Sequence, residues 1–313
     1  SHISLFDRIR LGMLYLRTTR VQDWRPLEEI TARDWLVSMA GERVYEAVWE
    51  PLLRAKFGRY ADEIAAVWIW NKLKLRGSSR GSKQEERLGY VRGGFGQVVD
   101  AWVAALTGRG VTMLLESPVT HIRGVDEGLE VTADGASRTY DHVVVTTAPE
   151  ILCNLVPALP QEYRARLRRI DYLANVCLVM QLDRSLSDTY WLNVADESRF
   201  GALIEHTNFV PPERYGGEHL LYVASYVQDP SEHLWQLSDE EVRDYWLSGV
   251  EDLFPQFDPD AVNWMKVARN PRTAPIYECG YLDMVVPYDL GEAVAEDVYY
   301  AGMASRAQYP ERS

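Results

Sequence analysis

The sequence predicts a mixed α/β fold, in which a helical first third is followed by a region rich in strands. In the first third, Leu5, Ile9 and Met13 recur at the spacing of one helix face. Later in the chain, short runs of β-branched residues such as residues 175–183 alternate with turn residues, which is typical of strands. With 313 residues, of which 47% are hydrophobic, the chain is long enough to form two domains with cores of their own.

Helix boundaries in the first third are marked by residues that cap helices. Thr31 is followed three positions later by Asp34, which is typical of a helix N-terminus, and Gly41 marks the expected end of that helix. Another helix is expected to follow, with a kink or boundary at Pro51. Residues 65–75 (AAVWIWNKLKL) predict a further apolar helix with a basic end.

Residues 76–87 (RGSSRGSKQEER) are predicted to form a polar loop, because glycine, serine and charged residues replace the helical pattern. The basic side chains of this segment leave two interpretations open. In the simpler one the segment is a solvated connection between elements. In the other it is a mobile clamp over an anionic ligand.

The middle of the chain is predicted to mix helix and strand. The expected elements are a helix at residues 97–106, strands at residues 111–115, 129–132 and 140–147, and a turn at Asp134-Gly135 that joins the last two strands as a hairpin. Because Val143, Val144 and Val145 form a continuous β-branched run, we expect this strand to be buried on both faces.

The last part of the chain is predicted to be rich in sheet, with one long helix. Strands are expected at residues 175–183, 190–194, 202–206, 220–227 and 262–267. The helix is expected to begin after Ser238, which can form a capping box with Glu241, and to end before Pro255.

The composition excludes several classes of function. A formal net charge of -13 argues against a nucleic-acid-binding protein, which needs a basic face. The 3 cysteines are far apart and show neither a metal-binding spacing nor a C-x-x-C motif, so we expect no metal and a reducing, cytoplasmic location. No apolar run approaches the ~20 residues of a membrane span, so we expect no integral membrane segment.

The sequence lacks the glycine motif that binds dinucleotides. In that motif, G-x-G-x-x-G follows a strand and places the pyrophosphate on a helix N-terminus. Among the 21 glycines, the two nearest approximations fail at the third position, where Val99 and Met113 stand. The sequence therefore predicts no complete dinucleotide cradle within these 313 residues.

Three short motifs nevertheless occur in a recognisable order. They are Ser117-Pro118-Val119-x-x-Ile122, Asp141-x-Val143-Val144-x-Thr146-x-x-Pro149 and Tyr300-Ala301-Gly302. Their order resembles the flavin-containing amine oxidase superfamily, which includes protoporphyrinogen oxidases, phytoene desaturase-like enzymes and, more remotely, UDP-galactopyranose mutase. Residues 49–58, 88–95 and 205–208 are most similar to bacterial protoporphyrinogen-oxidase-like proteins. The resemblance spans roughly residues 31–310.

The resemblance implies that FAD is the cofactor of the intact protein. The residues implied at the cofactor are Val119, Thr147, Ala148, Pro149, Gly302 and Met303. Val119 would bind the adenine side through its backbone, whereas Gly302 and Met303 would approach the flavin ring. Many family members carry an acidic residue where Met303 stands. Because the family's G-x-G-x-x-G unit is missing, we expect a truncated chain from which FAD is absent.

The resemblance also implies how the chain is divided. Residues 1–90 would form the helical part of a substrate domain, and residues 151–292 would form its β-sheet. Residues 91–150 and 293–313 would belong to an incomplete, Rossmann-like FAD-binding domain.

On the substrate side, aromatic and polar residues are the candidates for a pocket. They are Trp70, Arg76, Trp191, His206, Asn208 and Tyr222. The implied reaction is hydride transfer to flavin from a C–H bond of an amine or a largely apolar small molecule. No catalytic side chain is assigned, because the cofactor carries this chemistry.

Two other functions stay open at this point. One is sugar modification like that of UDP-galactopyranose mutase, with residues 76–87 holding a nucleotide diphosphate. The other is a non-catalytic binding module with an aromatic-lined pocket. Whatever the function, exposed apolar surface where the missing unit should pack would favour self-association of the chain.

Overall fold

The computed structural model describes residues 4–78, 89–194, 198–291, 294 and 297–306, without the side chains of residues 76–78. The chain divides into two compact units. The first unit contains Ser1–Arg20, Thr31–Ile64 and Tyr172–Ile276, and the second contains Val21–Ile30, Ala65–Asp171 and Tyr277–Ser313. The four segments predicted from the sequence, 1–90, 91–150, 151–292 and 293–313, remain a prediction.

Helices and strands are distributed along the whole described chain. The helices are α1 (Leu5–Thr18), α2 (Ala32–Ala40), α3 (Glu42–Val44), α4 (Glu50–Phe57), α5 (Ala66–Ser78), α6 (Gly96–Gly108), α7 (Pro149–Leu155), α8 (Gln161–Leu167), α9 (His233–Gln236), α10 (Asp239–Leu253) and α11 (Tyr281–Met284). The strands are β1 (Val119–Val125), β2 (Gly128–Ala133), β3 (Ala136–Tyr140), β4 (Val143–Val145), β5 (Tyr172–Leu182), β6 (Trp191–Asn193), β7 (Ala202–Glu205), β8 (His219–Val227), β9 (Val262–Pro275) and β10 (Val298–Tyr300). The predicted mixed fold class is confirmed.

A five-stranded antiparallel sheet, in the order β6-β7-β8-β5-β9, organises the first unit. Its side chains alternate between two faces, because successive residues of a strand point to opposite sides. On one face, Leu178, Val223 and Val267 lie side by side across β5, β8 and β9 and are buried. Trp246 and Val250 of α10 pack against them, so the core of this unit lies between the sheet and α10.

Helix α10 begins as the sequence predicts. The Ser238 hydroxyl accepts a hydrogen bond from the backbone N–H of Glu241 at 3.2 Å, and the Glu241 carboxylate accepts one from the backbone N–H of Ser238 at 2.7 Å. This capping box pairs backbone donors that the first turn leaves without a partner. Further along, the indole N–H of Trp246 donates to the carbonyl oxygen of Arg199 at 2.7 Å, so the buried ring keeps its polar atom paired.

The helices that precede the sheet also follow the predicted boundaries. Thr31 caps α2 by accepting a hydrogen bond from the N–H of Asp34 at 3.0 Å, and α2 ends at Gly41, whose φ of 88° favours glycine. Helix α3 continues through a π-helical turn, Tyr45–Trp49, into α4. Pro51 lies in the first turn of α4, directly after this π-helical turn, so it marks the predicted boundary.

The second unit contains two small sheets. Strands β1, β2 and β3 form an antiparallel sheet, whereas β4 and β10 pair in parallel although they are far apart in the sequence. Helices α7 and α8 follow β4 and are joined by Arg164. Its guanidinium group donates to the carbonyl oxygens of Cys153, of Val156 at 2.7 Å and of Leu159 at 3.0 Å. Cys153 lies in the last turn of α7 and the other two residues follow the helix, where intrahelical partners run out.

Two predicted elements of the second unit are wrong. Residues 111–115 form an irregular connection, because they pair with no strand in the described part of the chain. Residues 140–147 do not form one strand either. The hairpin partner of β2 is β3, which ends at Tyr140, and β4 pairs with β10 instead. Val144 is 53% exposed rather than buried, because no described element covers its face of this two-stranded sheet.

The start of the predicted loop is also different from the expectation. Helix α5 continues to Ser78, so residues 76–78 are helical, because glycine and serine lower helix propensity without forbidding the helix. Residues 79–87, the rest of that segment, lie outside the described residues. None of the helices in the described part of the chain combines the length and the hydropathy that crossing a bilayer requires.

Candidate functional site

The parallel pairing of β4 and β10 brings two distant parts of the chain together, with the carboxyl ends of both strands at one edge of the sheet. Val143 pairs with Val298 and Val145 pairs with Tyr300. The N–H of Ala301 then donates to the carbonyl oxygen of Val145 at 2.9 Å. Both strands therefore end together, and the residues that follow them lie side by side. In parallel sheets, ligands bind outside the carboxyl ends of the strands, so this edge is the candidate cofactor site.

Gly302 is closely enclosed at this edge. A Cβ atom added to it would lie 2.6 Å from the carbonyl oxygen of Thr147 and would also press against the hydroxyl group of Tyr300. That hydroxyl donates a hydrogen bond to the same carbonyl oxygen at 3.2 Å. A larger residue would force these groups apart. Gly302 is itself buried, so its missing side chain is required for the packing of this strand end.

The other predicted cofactor residues lie in the same unit. Ala148 is the N-cap of α7 and Pro149 begins that helix. The backbone carbonyl of Met303 accepts a hydrogen bond from the hydroxyl of Tyr281 at 3.4 Å. Val119 begins β1, opposite Ala133, in the three-stranded sheet.

Most of the cofactor candidates therefore lie together at the strand ends, and Val119 lies apart from them. The structure brings Thr147 and Ala148 beside Gly302, and it places Val119 on the other sheet of the unit. Small side chains at the strand ends fit a cofactor that is held by close backbone contact. Binding by these residues remains a prediction.

The second face of the large sheet carries aromatic residues. Trp191, Ile204, Tyr222 and Val179 are direct neighbours across β6, β7, β8 and β5, so they form one row. The indole N–H of Trp191 donates to Oδ1 of Asn193 at 2.9 Å, and the ring is half-exposed. Two of the predicted substrate residues, Trp191 and Tyr222, therefore share a row on the face that α10 does not cover.

His206 lies directly after β7, beside this row. Its ring lies edge-on to the ring of Tyr222, with 5.8 Å between the centroids, and its Nε2 atom is hydrogen-bonded to the hydroxyl of Tyr215 at 2.7 Å. Burial lowers the pKa of His206 below the ordinary value of 6.5, because the charged ring loses its hydration. At neutral pH, His206 is therefore uncharged.

The neighbours of His206 hold a loop in place. The side-chain amide of Asn208 donates to the carbonyl oxygen of Ser187 at 2.7 Å. The buried carboxylate of Glu205 accepts a hydrogen bond from the hydroxyl of Ser185 at 2.5 Å. Residues 205–208 thus tie the connection between β5 and β6 to the end of β7. These hydrogen bonds give residues 205–208 a structural role, and substrate binding by His206 and Asn208 remains a prediction.

Two residues on this sheet face, Asn175 and Cys177, were missed by the sequence analysis. Asn175 lies opposite Tyr226, and Cys177 lies between them and Tyr222 on the same face. The signal was present in residues 175–182, where buried residues at every second position leave Asn175 and Cys177 on the other side. Burial raises the pKa of Cys177 to about 11, so its thiol is protonated at neutral pH.

The remaining predicted substrate residues belong to the second unit. Trp70 is buried in α5, and Nζ of Lys74 lies 4.5 Å from the centroid of its ring. This arrangement is typical of a cation–π contact at a helix surface. The side chain of Arg76 lies outside the described residues. A role of Trp70 and Arg76 in substrate binding therefore remains a prediction.

Among known protein families, the flavin containing amine oxidoreductases match this sequence over residues 1–312. The chain belongs to this family. The resemblance inferred from three short motifs is thereby confirmed, and so is the assignment of the chain to a family of flavin-containing oxidoreductases. No match was found among the curated proteins.

Solved structures share the fold of this chain. They include a protein assigned as a protoporphyrinogen oxidase from Exiguobacterium sp. 255-15 (18% identity, TM-score 0.68, 96% of this chain and 68% of that chain). An oxidoreductase from Methanosarcina mazei matches with 15% identity and a TM-score of 0.70, over 96% of this chain and 68% of that chain. Wild-type putrescine oxidase bound to putrescine matches with 16% identity and a TM-score of 0.61, over 96% of this chain and 72% of that chain. At these identities, the likeness establishes the fold alone.

Proposed function

We propose that this chain is part of an FAD-dependent oxidoreductase that takes a hydride from a C–H bond of a largely apolar small molecule or an amine. Family membership supports the flavin. The observation that carries the proposal is the joint end of β4 and β10, where Gly302 fits beside Thr147 only without a side chain. When bound, FAD supplies the hydride acceptor and passes electrons on to oxygen or another acceptor.

In this proposal, the second unit holds the cofactor mainly through its backbone. Thr147, Ala148, Gly302 and Met303 would contact the flavin side, and the backbone of Val119 would bind the adenine side. The joint end of β4 and β10 supports this assignment, since ligands bind outside the carboxyl ends of parallel strands. None of these residues carries a charge, so they would hold FAD through backbone groups and apolar contacts.

The first unit would supply substrate contacts from the sheet face opposite α10. The thiol of Cys177 and the ring of His206 are uncharged at neutral pH, and burial raises the pKa of Tyr226 above its ordinary value of 10.0. Nζ of Lys56 lies 5.5 Å from the centroid of the Tyr226 ring, at one border of this face. Uncharged groups, with Lys56 and Lys266 as cations on the same face, favour a largely apolar substrate over a protonated amine.

We further propose that polypeptide outside these 313 residues supplies the pyrophosphate cradle. The support is an exposed apolar surface on the second unit. It comprises Val99, Trp102, Val103 and Leu106 of α6, together with Leu114 and Leu115. Large apolar patches of this kind mark surfaces on which further protein packs. No G-x-G-x-x-G motif occurs in the sequence, and the proposal expects weak FAD binding by this chain alone.

Absorbance spectroscopy tests both parts of the proposal. The 313-residue chain and the full product of its gene are purified, and the flavin bands of each are measured. We expect bands in any longer product and none in the 313-residue chain. Stoichiometric flavin in the chain itself would contradict the external cradle but not the oxidoreductase. Lack of flavin binding by both proteins, even with added FAD, would contradict the oxidoreductase.

Substrate recognition is tested separately with the flavin-loaded protein. Tyr222→Ala removes an aromatic side chain from the sheet face, and we expect KM for an apolar substrate to rise about tenfold. Tyr140→Ala, at an exposed position of β3, is the matched control and should leave KM unchanged. Reduction of a dye acceptor with a panel of porphyrinogens and amines supplies the measurement. An unchanged KM in Tyr222→Ala would remove this face from the substrate site.

The sugar-modifying alternative has no support from the structure. It depends on the basic segment at residues 76–87, whose side chains lie outside the described residues.

A further inference from the structure

Helix α1 presents an apolar surface to solvent. Its exposed apolar residues are Leu5, Phe6, Ile9, Met13 and Leu16, and the most exposed, Phe6, has 79% of its surface accessible. In an α-helix these side chains fall within an arc of about 100° around the axis. Leu14 and Thr18 on the opposite side are buried, and there α1 packs against α2. The apolar arc therefore faces away from the helix that α1 packs on.

Arginine residues border this arc on both sides. By helical spacing, Arg10 and Arg17 flank one border and Arg8 lies beyond the other, while Arg20 follows the end of the helix. All four are exposed. The acidic residue within α1, Asp7, is buried and lies 3.4 Å from Arg43. The surface of α1 is thus apolar at its centre and positive at its edges, in a chain whose net charge is -13.

We propose that α1 binds the surface of an anionic lipid bilayer, with its axis parallel to the membrane plane. The apolar arc would lie at the boundary between headgroups and acyl chains, and the flanking arginines would reach the lipid phosphates. An amphipathic helix with basic residues beside its apolar face binds membranes in this way. The negative charge elsewhere on the chain acts weakly at this surface, because salt screens charges over roughly 8 Å. The inference goes beyond the proposed function and does not depend on flavin.

Charge complementarity favours lipid over a second copy of the chain. In a two-fold symmetric contact, the same surface meets itself, so Arg8 and Arg10 of one α1 would approach the arginines of its partner. Like charges brought together in this way oppose association. Anionic headgroups instead pair with each arginine while the acyl boundary accepts the apolar side chains.

Vesicle co-sedimentation of the 313-residue chain tests the proposal. Vesicles are made of phosphatidylcholine alone or of equal parts of phosphatidylcholine and phosphatidylglycerol. We expect binding to the mixed vesicles, little binding to phosphatidylcholine, and loss of binding near 1 M salt, where the Debye length is about 3 Å. Ile9→Ser with Leu16→Ser should lower the partition coefficient at least about tenfold.

A matched variant controls for general loss of apolar surface. Ile9 and Leu16 are 52% and 55% exposed, and Leu253 and Trp264 in the same unit are 46% and 48% exposed. Leu253→Ser with Trp264→Ser should leave vesicle binding unchanged. Arg8→Gln with Arg10→Gln and Arg20→Gln provides an independent variant, which should lose preference for phosphatidylglycerol. Circular dichroism shows whether each variant is folded as the wild type is.

Several results would overturn the proposal. One is that the wild type and the folded α1 variants bind anionic vesicles equally well. Another is that the wild type does not bind anionic vesicles. A molar mass that doubles with concentration and reverts in Ile9→Ser with Leu16→Ser, without vesicle binding, would assign the surface to a second copy. If a longer product of the gene fails to bind vesicles that this chain binds, the apolar arc of α1 is covered by further protein and not by lipid.

Discussion

The hydroxyl group of Tyr300 donates a hydrogen bond to the carbonyl oxygen of Thr147, which lies 3.2 Å away. This bond joins the segment after β4 to the end of β10, two parts of the chain that are separated by 153 positions. Tyr300 is fully buried, and Gly302 lies against both groups. The candidate cofactor edge is therefore fixed by tertiary contacts rather than by local sequence.

A side chain at Gly302 should destabilise this edge. Because a Cβ atom there would lie 2.6 Å from the Thr147 oxygen, we expect Gly302→Ala to lower the free energy of unfolding by about 1–3 kcal/mol. Gly108→Ala is the matched control, since nothing lies within 4 Å of an added Cβ at that helical position. The control should be neutral or slightly more stable. Urea unfolding measures both, and equal stability of the two variants would contradict the packing described here.

Arg164 should matter far more to stability than its neighbour Arg166. Arg164→Gln leaves the carbonyl oxygens of Cys153, Val156 and Leu159 without their charged donor, so we expect a loss of about 2–3 kcal/mol. Arg166→Gln removes an exposed ion pair with Glu162 and should cost no more than about 0.5 kcal/mol. Thermal or urea unfolding compares them, and similar losses would argue against the cap on α7.

The stability of the chain should depend on pH through His206. Its pKa is lowered by burial, so on acidification the unfolded state takes up the proton before the folded state does. The contribution of His206 is therefore complete above about pH 6.5 and is lost as the pH falls below that value, by at most ~1.4 kcal/mol per pH unit. Urea unfolding between about pH 5.5 and pH 7.5 measures this slope.

One variant isolates the contribution of His206. His206→Gln should flatten the slope relative to the wild type, because the glutamine amide does not titrate. If His206→Gln keeps the wild-type slope, another group is responsible for the loss of stability.

Cys177 should react slowly with alkylating reagents. A pKa of about 11 rather than 9.0 lowers the reactive thiolate fraction about a hundredfold near pH 8. Iodoacetamide labelling of Cys153→Ser with Cys279→Ser, followed by mass spectrometry, measures the rate for Cys177 alone. The same variant unfolded in urea is the control and should label at the ordinary rate. Rapid labelling of the folded variant would show that this sheet face is more open to water than the structure indicates.

Much of the fold could be predicted because its signals are local. The capping box at Ser238 and Glu241 and the end of α2 at Gly41 depend on residues within one helical turn of each other. The alternation in β5 likewise follows from neighbouring residues, so its extent was predicted within a few positions.

The errors occurred where partners are distant in the sequence. Val144 belongs to a run of valines that is typical of a doubly buried strand, yet it is exposed, because β4 has a partner on one edge and no described element over its outer face. Asn175 and Cys177 were missed because alternation in β5 shows only that they share a face, whereas their position beside Tyr226 and Tyr222 is set by pairing between β5 and β8.

By itself, the sequence determined the family, the mixed fold class and most helix and strand positions, since these depend on short motifs, capping residues and periodicity. The tertiary structure decided which residues meet. It placed Gly302 against Thr147, put Tyr222 and Cys177 on one sheet face, and turned the apolar arc of α1 away from α2. The physical reason is that propensity acts between neighbours in the chain, whereas pairing and packing depend on contacts that form only when distant segments fold together.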